Sequence, residues 1–485
     1  MTSVDTTGLF IGGSWAPGAE GSTMPARNPA TGEKLADVVA GSVQDVDRAV
    51  AAARAAWADF RTTTVFERAT LCRRIAEVLH ERRDDLARTI ALEQGKPLHT
   101  EAYAEVDLAV EGFNEAAELV KHLEGAWIPL QDPNKRAMSF RQPRGVYAVV
   151  TPWNFPVNIP TEYLAPGIAS GNAIVWVPAP STSLCAVRLA ECLQAAGVPD
   201  GVVNLVTGAG PVVGDAAVSH PGTDAVGFTG STATGHLIAS RAAGKPQLLE
   251  LGGNGPTIVF ADADLAKAAA SLAFACFLNA GQTCAATELV LCERSVATEL
   301  AQLIAREAET YRVGDPLAAD TRMGPLNNEP VAAKNDRHVA DAVDRGATVL
   351  TGGRRMPELG SPLFFAPTVL DDVPPDALFA REESFGPVAP VVPVDGEDEA
   401  LAVAGTSGLG LSASVWTRDV ARAIRVSEAL RTGIVNINEH SAYWEIHVPF
   451  GGASGTGSGV GRLGGRHTIL AMTDLKTVTL DLSRF

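Results

Sequence analysis

Residues 201–235 read GVVNLVTGAGPVVGDAAVSHPGTDAVGFTGSTATG, and within them two apolar runs each lead into a glycine-containing turn and a stretch that suits a helix. The runs are GVVNLV (201–206) and DAVGF (224–228). Strands that alternate with helices in this way are typical of a parallel sheet covered on both faces, which is why the strands themselves can be apolar throughout. The segment predicts an α/β protein with a doubly wound parallel sheet.

The alternation continues on both sides of this segment. Further strand candidates for the same sheet are GVYAVVT (145–151), AIVWV (173–177) and QLLEL (247–251). A second α/β region supplies six more candidates, at residues 256–260, 288–292, 347–350, 388–394, 411–416 and 433–438. Two isolated candidates, 135–143 and 475–482, have no obvious local partner, and we expect them to complete a sheet with another subunit.

The first part of the chain is predicted to be helical. Ser42 with Asp45, and Thr64 with Glu67, have the spacing of capping boxes, and apolar residues recur at helical intervals after each. The stretch from residue 86 to residue 123 is also predicted to be helical.

Bulk properties exclude several classes of function. The 485 residues predict two or three domains, and a formal net charge of −17 disfavours nucleic acid or an anionic membrane surface as a partner. None of the six cysteines has a C-x-x-C partner, so neither a metal site nor a dithiol is predicted. We find no signal peptide and no apolar run of about 18–20 residues, and we expect a cytoplasmic location.

Glycines and a serine at two predicted turns indicate a nucleotide site. Gly208, Gly210 and Gly214 follow the strand 201–206 with G-x-G-x-x-x-G spacing, one residue longer than the usual dinucleotide fingerprint. Ser231 begins the helix after the next strand, where free backbone N–H groups and a hydroxyl could bind a phosphate. An ordinary glycine-rich turn explains the first turn equally well, whereas two such turns on neighbouring strands favour the nucleotide.

Three polar residues stand where reactive groups are useful. Cys284, in FLNAGQTC, follows a predicted helix end, where backbone N–H dipoles can ionise an accessible thiol; the alternative is an inert buried cysteine. Glu250 ends an apolar strand, and it is either a general base with a raised pKa or a solvated strand-end charge. Asn154, in TPWNFP, is either a donor to an oxyanion or a turn residue.

Six motifs together resemble the aldehyde dehydrogenase family over essentially the whole chain. They are PWNFP (152–156), FTGSTATG (228–235), LELGG (249–253), the F-x-x-x-G-Q-x-C run that ends at Cys284, EESFGPV (382–388) and PFGG (449–452). They occur in the family's order and at about its spacing, which a chance match to one motif does not produce.

The resemblance implies a mechanism. Cys284 would attack the aldehyde as a thiolate, and the Asn154 amide with the Cys284 backbone N–H would hold the oxyanion. Hydride would pass to NAD or NADP, and Glu250 would activate the water that hydrolyses the thioester. Glu383 would hold the nicotinamide ribose, with Phe385 beside the ring. The other cofactor contacts that the resemblance implies are Thr151, Trp153, Gly210, Gly214, Phe228, Gly230 and Ser231.

The family's architecture implies three parts. A Rossmann-like NAD(P)-binding domain would comprise residues 1–122 and 143–252, and an α/β catalytic domain would comprise residues 253–460. A small β arm, residues 123–142 and 461–485, would serve oligomerisation, and the two isolated strand candidates fit it. A homodimer or homotetramer is therefore expected.

Two positions depart from the family's pattern at the adenosine ribose. Val177 stands where a lysine usually hydrogen-bonds the ribose and helps to accept a 2′-phosphate, and Pro180 stands where NAD-preferring members often have glutamate. Loss of the glutamate removes repulsion of a 2′-phosphate, whereas loss of the lysine removes attraction for one. Each lost hydrogen bond costs about 0.5–1.5 kcal/mol of binding free energy. Both NAD and NADP stay open, with NAD favoured.

The sequence indicates the substrate only in outline. CAATEL, which begins at Cys284, resembles the CMSTER type of benzaldehyde, vanillin and salicylaldehyde dehydrogenases, with leucine in place of arginine. The loop NEHSAYWEIH (438–447) is expected to line the mouth of the site with polar and aromatic side chains, which suits an aromatic or hydroxylated aldehyde. A CoA-acylating or semialdehyde dehydrogenase and a non-catalytic family member are the alternatives, and Glu250 favours hydrolysis over transfer to CoA.

Overall fold

The computed structural model describes residues 6–485, which form two large sheets covered by helices and two small sheets. The strands are β1 Thr6–Thr7, β2 Leu9–Ile11, β3 Ser14–Ala16, β4 Thr23–Arg27, β5 Lys34–Val39, β6 Ala126–Ile128, β7 Lys135–Pro143, β8 Val146–Thr151, β9 Ala173–Pro178, β10 Val203–Leu205, β11 Ala225–Thr229, β12 Gln247–Glu250, β13 Pro256–Val259, β14 Leu289–Glu293, β15 Thr348–Thr351, β16 Thr368–Asp371, β17 Val388–Val394, β18 Ser412–Trp416, β19 Ile434–Ile437, β20 Gly459–Val460 and β21 Thr473–Asp481. The helices are α1 Val43–Phe60, α2 Val65–Glu81, α3 Arg83–Glu93, α4 Tyr103–Leu119, α5 Asn158–Ala169, α6 Ser183–Ala195, α7 Asp215–Ser219, α8 Thr232–Arg241, α9 Leu265–Phe277, α10 Ala297–Ala308, α11 Glu329–Asp344, α12 Leu378–Arg381, α13 Glu397–Ala404, α14 Val420–Ala429 and α15 Gly465–Ala471.

The first large sheet is doubly wound, as the alternation of strands and helices predicts. Its strand order is β20-β12-β11-β8-β9-β10-β2-β3, and the five strands from β12 to β10 run parallel. Successive side chains of a strand point to opposite faces. Tyr147 and Val149 of β8 accordingly pack with α2 to α6, whereas Val146 and Ala148 pack with α1, α7 and α8. Both faces are therefore buried, which explains the uninterrupted apolar strands.

The order of these strands creates a crevice. From β8 the chain moves outward to β9 and β10 on one side, and it then returns to β11 and β12 on the other. Loops that leave β8 and β11 consequently diverge at the carboxyl ends of the strands, and ligands of doubly wound proteins bind at such a switch point. On the far edge, β20 pairs with β12 and sets Gly459 opposite Glu250.

The second large sheet has the order β15-β16-β17-β14-β13-β18-β19, and only its β15–β16 pair is antiparallel. All six of its predicted strands are present within a residue or two. The additional strand, β16, is missed by sequence pattern because TVLD is only four residues long and lies between prolines and acidic residues. Buried side chains of α9, α10 and α11 pack on this sheet in a cluster of their own.

The two isolated strand candidates are partners of each other within the chain, and completion of their sheet by another subunit stays a prediction. β7 and β21 form an antiparallel ladder of nine residue pairs, from Thr473 opposite Pro143 to Asp481 opposite Lys135, and β6 extends the sheet on the other side of β7. A separation of more than 300 residues along the chain hides this pairing from local pattern. The outer strands still carry exposed apolar side chains, Trp127 at 64% and Leu475 at 59%.

The prediction of helices at the start of the chain is partly wrong. Both capping boxes are present, and the Thr64 backbone N–H donates to the Glu67 carboxylate at 2.7 Å. Residues 6–39, however, form five short strands, of which β2 and β3 extend the first large sheet. The helix predicted over residues 86–123 is broken between α3 and α4, because Gly95 has a positive φ of 102° and Pro97 follows it.

Within the described residues, no helix combines the length and the apolar character that crossing a membrane requires. Their buried apolar side chains form three main clusters, one on each face of the first large sheet and one around the second. The polar crevice at the switch point lies between these clusters, and it contains the candidate active site.

Candidate active site

Two cavities meet at Cys284 and Glu250. The larger cavity, of about 800 Å³, is lined by Pro152, Trp153, Asn154, Thr229, Gly230, Ser231, Glu250, Gly252, Cys284, Asn328, Pro330, Val331, Lys334, Glu383 and Phe385. The smaller cavity, of about 690 Å³, is lined by Leu108, Phe155, Asn158, Ile159, Glu162, Glu250, Leu278, Thr283, Cys284, Ala285, Ala442, Trp444 and Phe450. Only Cys284 and Glu250 belong to both, so a molecule in either cavity reaches the same thiol and the same carboxyl group.

The turn before Cys284 is strained and firmly held. Asn279 and Ala280 have positive φ angles of 51° and 53°, a conformation that side chains other than glycine rarely adopt. The Glu101 carboxylate accepts the Asn279 backbone N–H at 3.0 Å, and the Gln94 side chain donates to the side-chain oxygen Oδ1 of Asn279 at 2.9 Å. Backbone strain of this kind persists only where the surroundings enforce it, and it is concentrated at functional sites.

Two glycines allow neighbouring segments to approach this turn. A Cβ on Gly281 would lie 2.0 Å from the Gly386 carbonyl oxygen, and a Cβ on Gly253 would lie 2.3 Å from the Cys284 carbonyl oxygen. Any side chain at either position would therefore force the backbone segments apart. The glycines bring the end of β12 and the turn after Glu383 against the nucleophile loop.

The Cys284 thiol is half-buried and does not ionise by itself. Burial is the main cause that raises the pKa of Cys284 well above its ordinary value, and the carboxyl groups of Glu250, Glu162 and Glu383 add to the rise. The expectation that backbone dipoles ionise this thiol is therefore wrong, because burial, together with the nearby carboxyl groups, favours the neutral thiol. A thiol in these surroundings needs a base that accepts its proton. The other five cysteines are buried.

Glu250 is placed to be that base. Burial raises the pKa of Glu250 to about 8, Glu383 adds to the rise, and the nearby Cys284 and Thr229 side chains oppose it. Its Oε1 atom is buried and accepts no hydrogen bond from the described part of the chain. A carboxyl group with a pKa near neutrality and a free oxygen beside a thiol can both accept and return a proton. Glu250 is thus not a solvated strand-end charge.

Two donors face the space in front of the thiol. The Asn154 side-chain nitrogen donates one hydrogen to the Gln282 carbonyl at 3.1 Å, and its second hydrogen is not used by that bond. Among residues 6–485, no acceptor takes the Cys284 backbone N–H. An amide and a backbone N–H that converge beside a nucleophile can stabilise a developing oxyanion.

The larger cavity fits a dinucleotide. Trp153 and Phe385 stand in edge-to-face contact at 5.6 Å, and Gly230 and Ser231 form the turn before α8. Gly252 leaves space on the side of the cavity that faces this turn, because a Cβ at position 252 would come within 3.2 Å of the Glu383 carboxylate. Aromatic walls, a glycine floor and a helix N-terminus are the surroundings that a nicotinamide and a pyrophosphate require.

Glu288, which sequence reasoning missed, positions the turn that carries Glu383 and Phe385. Its buried carboxylate accepts the backbone N–H groups of Ser384 and of Phe385, the latter at 3.0 Å. Burial raises the pKa of Glu288 to about 8, and the charge of Glu383 contributes. Lys334 lines the larger cavity. Burial raises the pKa of Glu383, and the positive charge of Lys334 opposes this rise. Glu288 lies in CAATEL, which we compare with other dehydrogenases only for the substrate, and Lys334 lies in none of the six motifs.

The structure brings some of the implied cofactor residues to the larger cavity and leaves others away from it. Trp153, Gly230, Ser231, Glu383 and Phe385 line the cavity. The lining of this cavity does not include Thr151, Phe228, Gly210 and Gly214.

Thr151 and Phe228 are buried beneath the crevice. The Thr151 hydroxyl accepts the Trp176 indole N–H at 2.8 Å, and the Phe228 ring packs under Gly230, where a Cβ would lie 2.5 Å from it. Gly210 and Gly214 bound a single π-helical turn before α7, and neither has a heavy atom within 4 Å of the place where a Cβ would stand. These glycines therefore leave an open surface beside the turn, away from the nicotinamide end.

The two departures at the adenosine ribose lie at the end of β9. Val177 is 1% exposed and packs in the core cluster with α1, so its side chain is part of the sheet's packing. Pro180 is exposed and begins a short turn of 3-10 helix before α6. A charged group is thus absent from both positions, and a side chain introduced at Pro180 would reach solvent rather than the core.

The loop predicted to line the substrate mouth does so only in part. Ala442 and Trp444 reach the smaller cavity. The polar members are engaged elsewhere: the Glu439 carboxylate accepts from the Ser271 hydroxyl at 3.1 Å, and the Tyr443 hydroxyl donates to Glu445 at 2.6 Å. The smaller cavity is consequently more apolar than the loop sequence indicates. Its acidic side chain comes instead from Glu162 of α5, which sequence reasoning missed although it is the single charged residue of a buried helix.

A buried ion pair supports the segment that carries Asn154. Lys96 and Glu105 are each 1% exposed and in direct contact. The Glu105 carboxylate also accepts the Val157 N–H at 2.8 Å, and the Lys96 ammonium lies 3.3 Å from the centre of the Phe155 ring. The pair thereby ties α4 to the loop that follows β8.

Replacing Lys96 with methionine is expected to destabilise the protein by about 3–5 kcal/mol, because the buried Glu105 charge would lose its partner. The measurement is the free energy of unfolding from urea titration of the wild type and the variant. Lys267→Met is the matched control, since that ammonium is 80% exposed and 3.8 Å from Asp264, and it should cost less than about 0.5 kcal/mol. Equal stabilities of the two variants would contradict the structural role of the pair.

The fold is a doubly wound α/β fold of the kind that binds nucleotides, and its crevice places a cysteine and a carboxyl group where two cavities meet. The sequence profile described as the aldehyde dehydrogenase family matches residues 15–478. The succinate-semialdehyde dehydrogenase (NADP+) of Escherichia coli strain K12 is 39% identical over 475 residues, which are 98% of this chain and 97% of that protein. The chain belongs to the aldehyde dehydrogenase family, and it is an NAD(P)-dependent enzyme that oxidises aldehydes.

Solved structures agree with this assignment. The succinate-semialdehyde dehydrogenase of Burkholderia pseudomallei superimposes with a TM-score of 0.96 at 37% identity, covering 99% of both chains. The betaine aldehyde dehydrogenase of Staphylococcus aureus, solved in complex with NAD+, gives a TM-score of 0.94 at 32% identity and covers 98% of this chain and 95% of its own. The predicted fold, two α/β sheets with a small β arm, is confirmed.

Proposed function

We propose that this chain oxidises an aldehyde to a carboxylic acid through a thioester on Cys284 and hydrolyses that thioester with Glu250 as general base. The observation that carries the proposal is the junction of the two cavities, where the Cys284 thiol and the free Glu250 oxygen are the only groups shared. Hydrolysis is favoured over transfer to CoA because a base with a pKa of about 8 already stands beside the acyl position.

Each protein group has a defined task in this mechanism. Glu250 takes the thiol proton as the Cys284 sulfur attacks the carbonyl carbon. The Asn154 amide and the Cys284 N–H stabilise the resulting oxyanion. A bound nicotinamide supplies a hydride acceptor for that carbon. Glu250 releases the thiol proton to solvent, and as a carboxylate it then removes a proton from the water that attacks the thioester, while the Cys284 sulfur leaves as a thiolate.

Residues of the larger cavity would hold the cofactor. We assign the nicotinamide end to Trp153, Phe385 and Glu383, and the pyrophosphate to the N–H groups beside Ser231. NAD is the favoured cofactor, and NADP is the alternative, because neither Val177 nor Pro180 offers a positive charge to a 2′-phosphate.

Replacing Pro180 with glutamate should raise the preference for NAD over NADP at least tenfold, about 1.4 kcal/mol, since a carboxylate repels a 2′-phosphate and accepts hydrogen bonds from a ribose. The measurement is the ratio of kcat/KM for the two cofactors in the wild type and in Pro180→Glu. Pro180→Gln, which lacks the charge, is the control and should shift the ratio by less than threefold. An unchanged ratio in Pro180→Glu would show that the ribose lies elsewhere.

The smaller cavity suits an aldehyde with an aromatic or otherwise bulky body. Phe155, Trp444 and Phe450 supply its aromatic walls. An aromatic or hydroxylated aldehyde is our first candidate, and a semialdehyde, the substrate class named for the Escherichia coli relative, is the second.

The exposed edge of the β7–β21 sheet supports a further part of the proposal, association into a homodimer or homotetramer through the arm formed by residues 123–142 and 461–485. We assign residues 1–122 and 143–252 to cofactor binding and residues 253–460 to catalysis, and we place the enzyme in the cytoplasm. Size-exclusion chromatography with light scattering measures the oligomeric state directly.

The function is tested by NAD(P)H formation at 340 nm, without added CoA, across aromatic, aliphatic and semialdehyde substrates and with both cofactors. Reduction that yields one carboxylic acid for each NAD(P)H supports hydrolytic oxidation. Reduction that begins only when CoA is added would replace it with the CoA-acylating alternative.

A further inference from the structure

Glu162 stands in the wall of the smaller cavity without a basic partner. It lies on α5, all of whose other residues are buried, and it is itself half-buried and faces the cavity. The Asn158 side chain donates to its Oε1 at 2.8 Å, which leaves the second carboxyl oxygen for another donor. Burial and the charge of Glu250 raise the pKa of Glu162 well above its ordinary value. A buried carboxyl group in this position costs stability unless it binds something.

The charges around the smaller cavity all have one sign. Among the described residues that line it, Glu162 and Glu250 carry carboxyl groups, and none is lysine or arginine. A small side pocket of about 330 Å³ that Glu162 also lines adds Glu115 and again no basic residue. The remaining walls are apolar or aromatic. A negative group on a ligand would therefore meet repulsion here, whereas a positive or hydrogen-bond-donating group would be attracted.

The negative charge of the smaller cavity disfavours succinate semialdehyde, the substrate named for two of the proteins that this chain resembles. Succinate semialdehyde carries a carboxylate at the end opposite its aldehyde, and that group needs a cation or several donors once it leaves water. No lining residue of the smaller cavity supplies a positive charge. Aromatic faces such as those of Trp444 and Phe450 attract cations, not anions.

We infer that Glu162 is a specificity-determining residue that accepts a hydrogen bond from a donor, a protonated amine or a hydroxyl group, on the body of the aldehyde substrate, and that it excludes aldehydes with a terminal carboxylate. The inference rests on the proposed function, because it places the aldehyde carbon at Cys284 and the rest of the substrate in the smaller cavity. Glu162 contacts the body of the substrate and takes no part in bond making.

Four aldehydes that differ only at the carbon farthest from the carbonyl provide the test: 4-aminobutanal, 4-hydroxybutanal, butanal and succinate semialdehyde. The readout is selectivity, kcat/KM for each aldehyde divided by that for butanal, in the wild type, Glu162→Leu and Glu162→Gln. Comparisons between enzymes use the same aldehyde, so hydration and ring closure cancel there, whereas comparisons of aldehydes on the wild type use the concentration of the free aldehyde determined by NMR. Glu111→Gln, on the exposed face of α4, is the matched control.

The wild type is expected to prefer at least one donor-bearing aldehyde to butanal and to use succinate semialdehyde least. Glu162→Leu should lower the donor-bearing selectivity at least tenfold and raise that for succinate semialdehyde. If Glu162→Gln loses selectivity for 4-aminobutanal alone, the donor is an ammonium group. If selectivity for 4-hydroxybutanal is lost only in Glu162→Leu, the donor is a hydroxyl group.

Two results would overturn the inference. One is a wild type that prefers succinate semialdehyde to butanal, which needs no variant to fold. The other is turnover by Glu162→Gln and Glu162→Leu with selectivities equal to those of the wild type. A wild type that turns over none of the four aldehydes contradicts the inference, and it contradicts the proposed function as well if the aromatic aldehydes of the panel are not oxidised either; turnover with unaltered selectivity contradicts the inference alone.

Discussion

Cys284→Ala is expected to lower kcat for aldehyde oxidation by at least about 10⁴-fold, because no other group at the junction of the cavities can form the covalent adduct. Glu250 and Asn154 remain in the variant, but without Cys284 no adduct forms on which they could act. The loss corresponds to about 5 kcal/mol of transition-state stabilisation. NAD(P)H formation at 340 nm with saturating aldehyde measures it.

Two controls separate loss of the nucleophile from loss of the fold. Cys276→Ala changes a 1% exposed core cysteine eight positions earlier, and it should keep kcat within about threefold. Fluorescence titration with NADH should give the same affinity for Cys284→Ala as for the wild type, because the larger cavity is otherwise unchanged. Residual activity above 1% in Cys284→Ala with intact cofactor binding would exclude the thioester mechanism.

Glu250→Gln is expected to slow formation of the thioester and to block its hydrolysis, so that each enzyme molecule turns over at most once. Glutamine keeps the size of the side chain and cannot accept a proton, so the steady-state rate should fall by about 10²–10⁴-fold. The thioester would accumulate on Cys284, and intact-protein mass spectrometry would detect the acyl group. Rapid-mixing measurement of the first NAD(P)H equivalent separates the two tasks of Glu250, since a slowed burst means that it also deprotonates the thiol.

The same variant tests the pH dependence. Glu250 acts as base in its carboxylate form, and its pKa is raised to about 8, so the hydrolytic rate of the wild type should rise with pH up to about 8 and level off above it. Glu250→Gln should lose this rise and regain turnover with added hydroxylamine, which attacks thioesters without a base. A steady-state rate within threefold of the wild type would show that water is activated by another group.

The residues to which we assign catalytic roles can be found by sequence reasoning because each is marked by its immediate neighbours. Glu250 is a charge at the end of an apolar strand, Asn154 follows another such strand, and Cys284 follows a helix end among small residues. Parallel strands present their carboxyl ends at one edge of the sheet, which is where Asn154 and Glu250 lie.

The state of these groups could not be predicted from their neighbours in the chain. The sequence predicts an ionised Cys284, whereas its pKa is raised, mainly because burial disfavours the thiolate and further because three carboxyl groups from α5, β12 and the loop after α12 lie near it. Electrostatic effects depend on distance in space and on burial, and neither is encoded in spacing along the chain.

The roles of the residues that support the site are decided entirely by the tertiary structure. Glu288 holds a turn 96 positions later in the chain, Lys96 and Glu105 hold the start of α5, and Glu162 faces a cavity whose other walls come from distant segments. β7 and β21 likewise pair with each other although most of the chain lies between them in sequence. Local pattern determines which segments become strands, helices and reactive turns, since propensity and periodicity act over a few residues. Packing alone decides which buried charges meet, because their energies are set by partners that only the folded chain brings together.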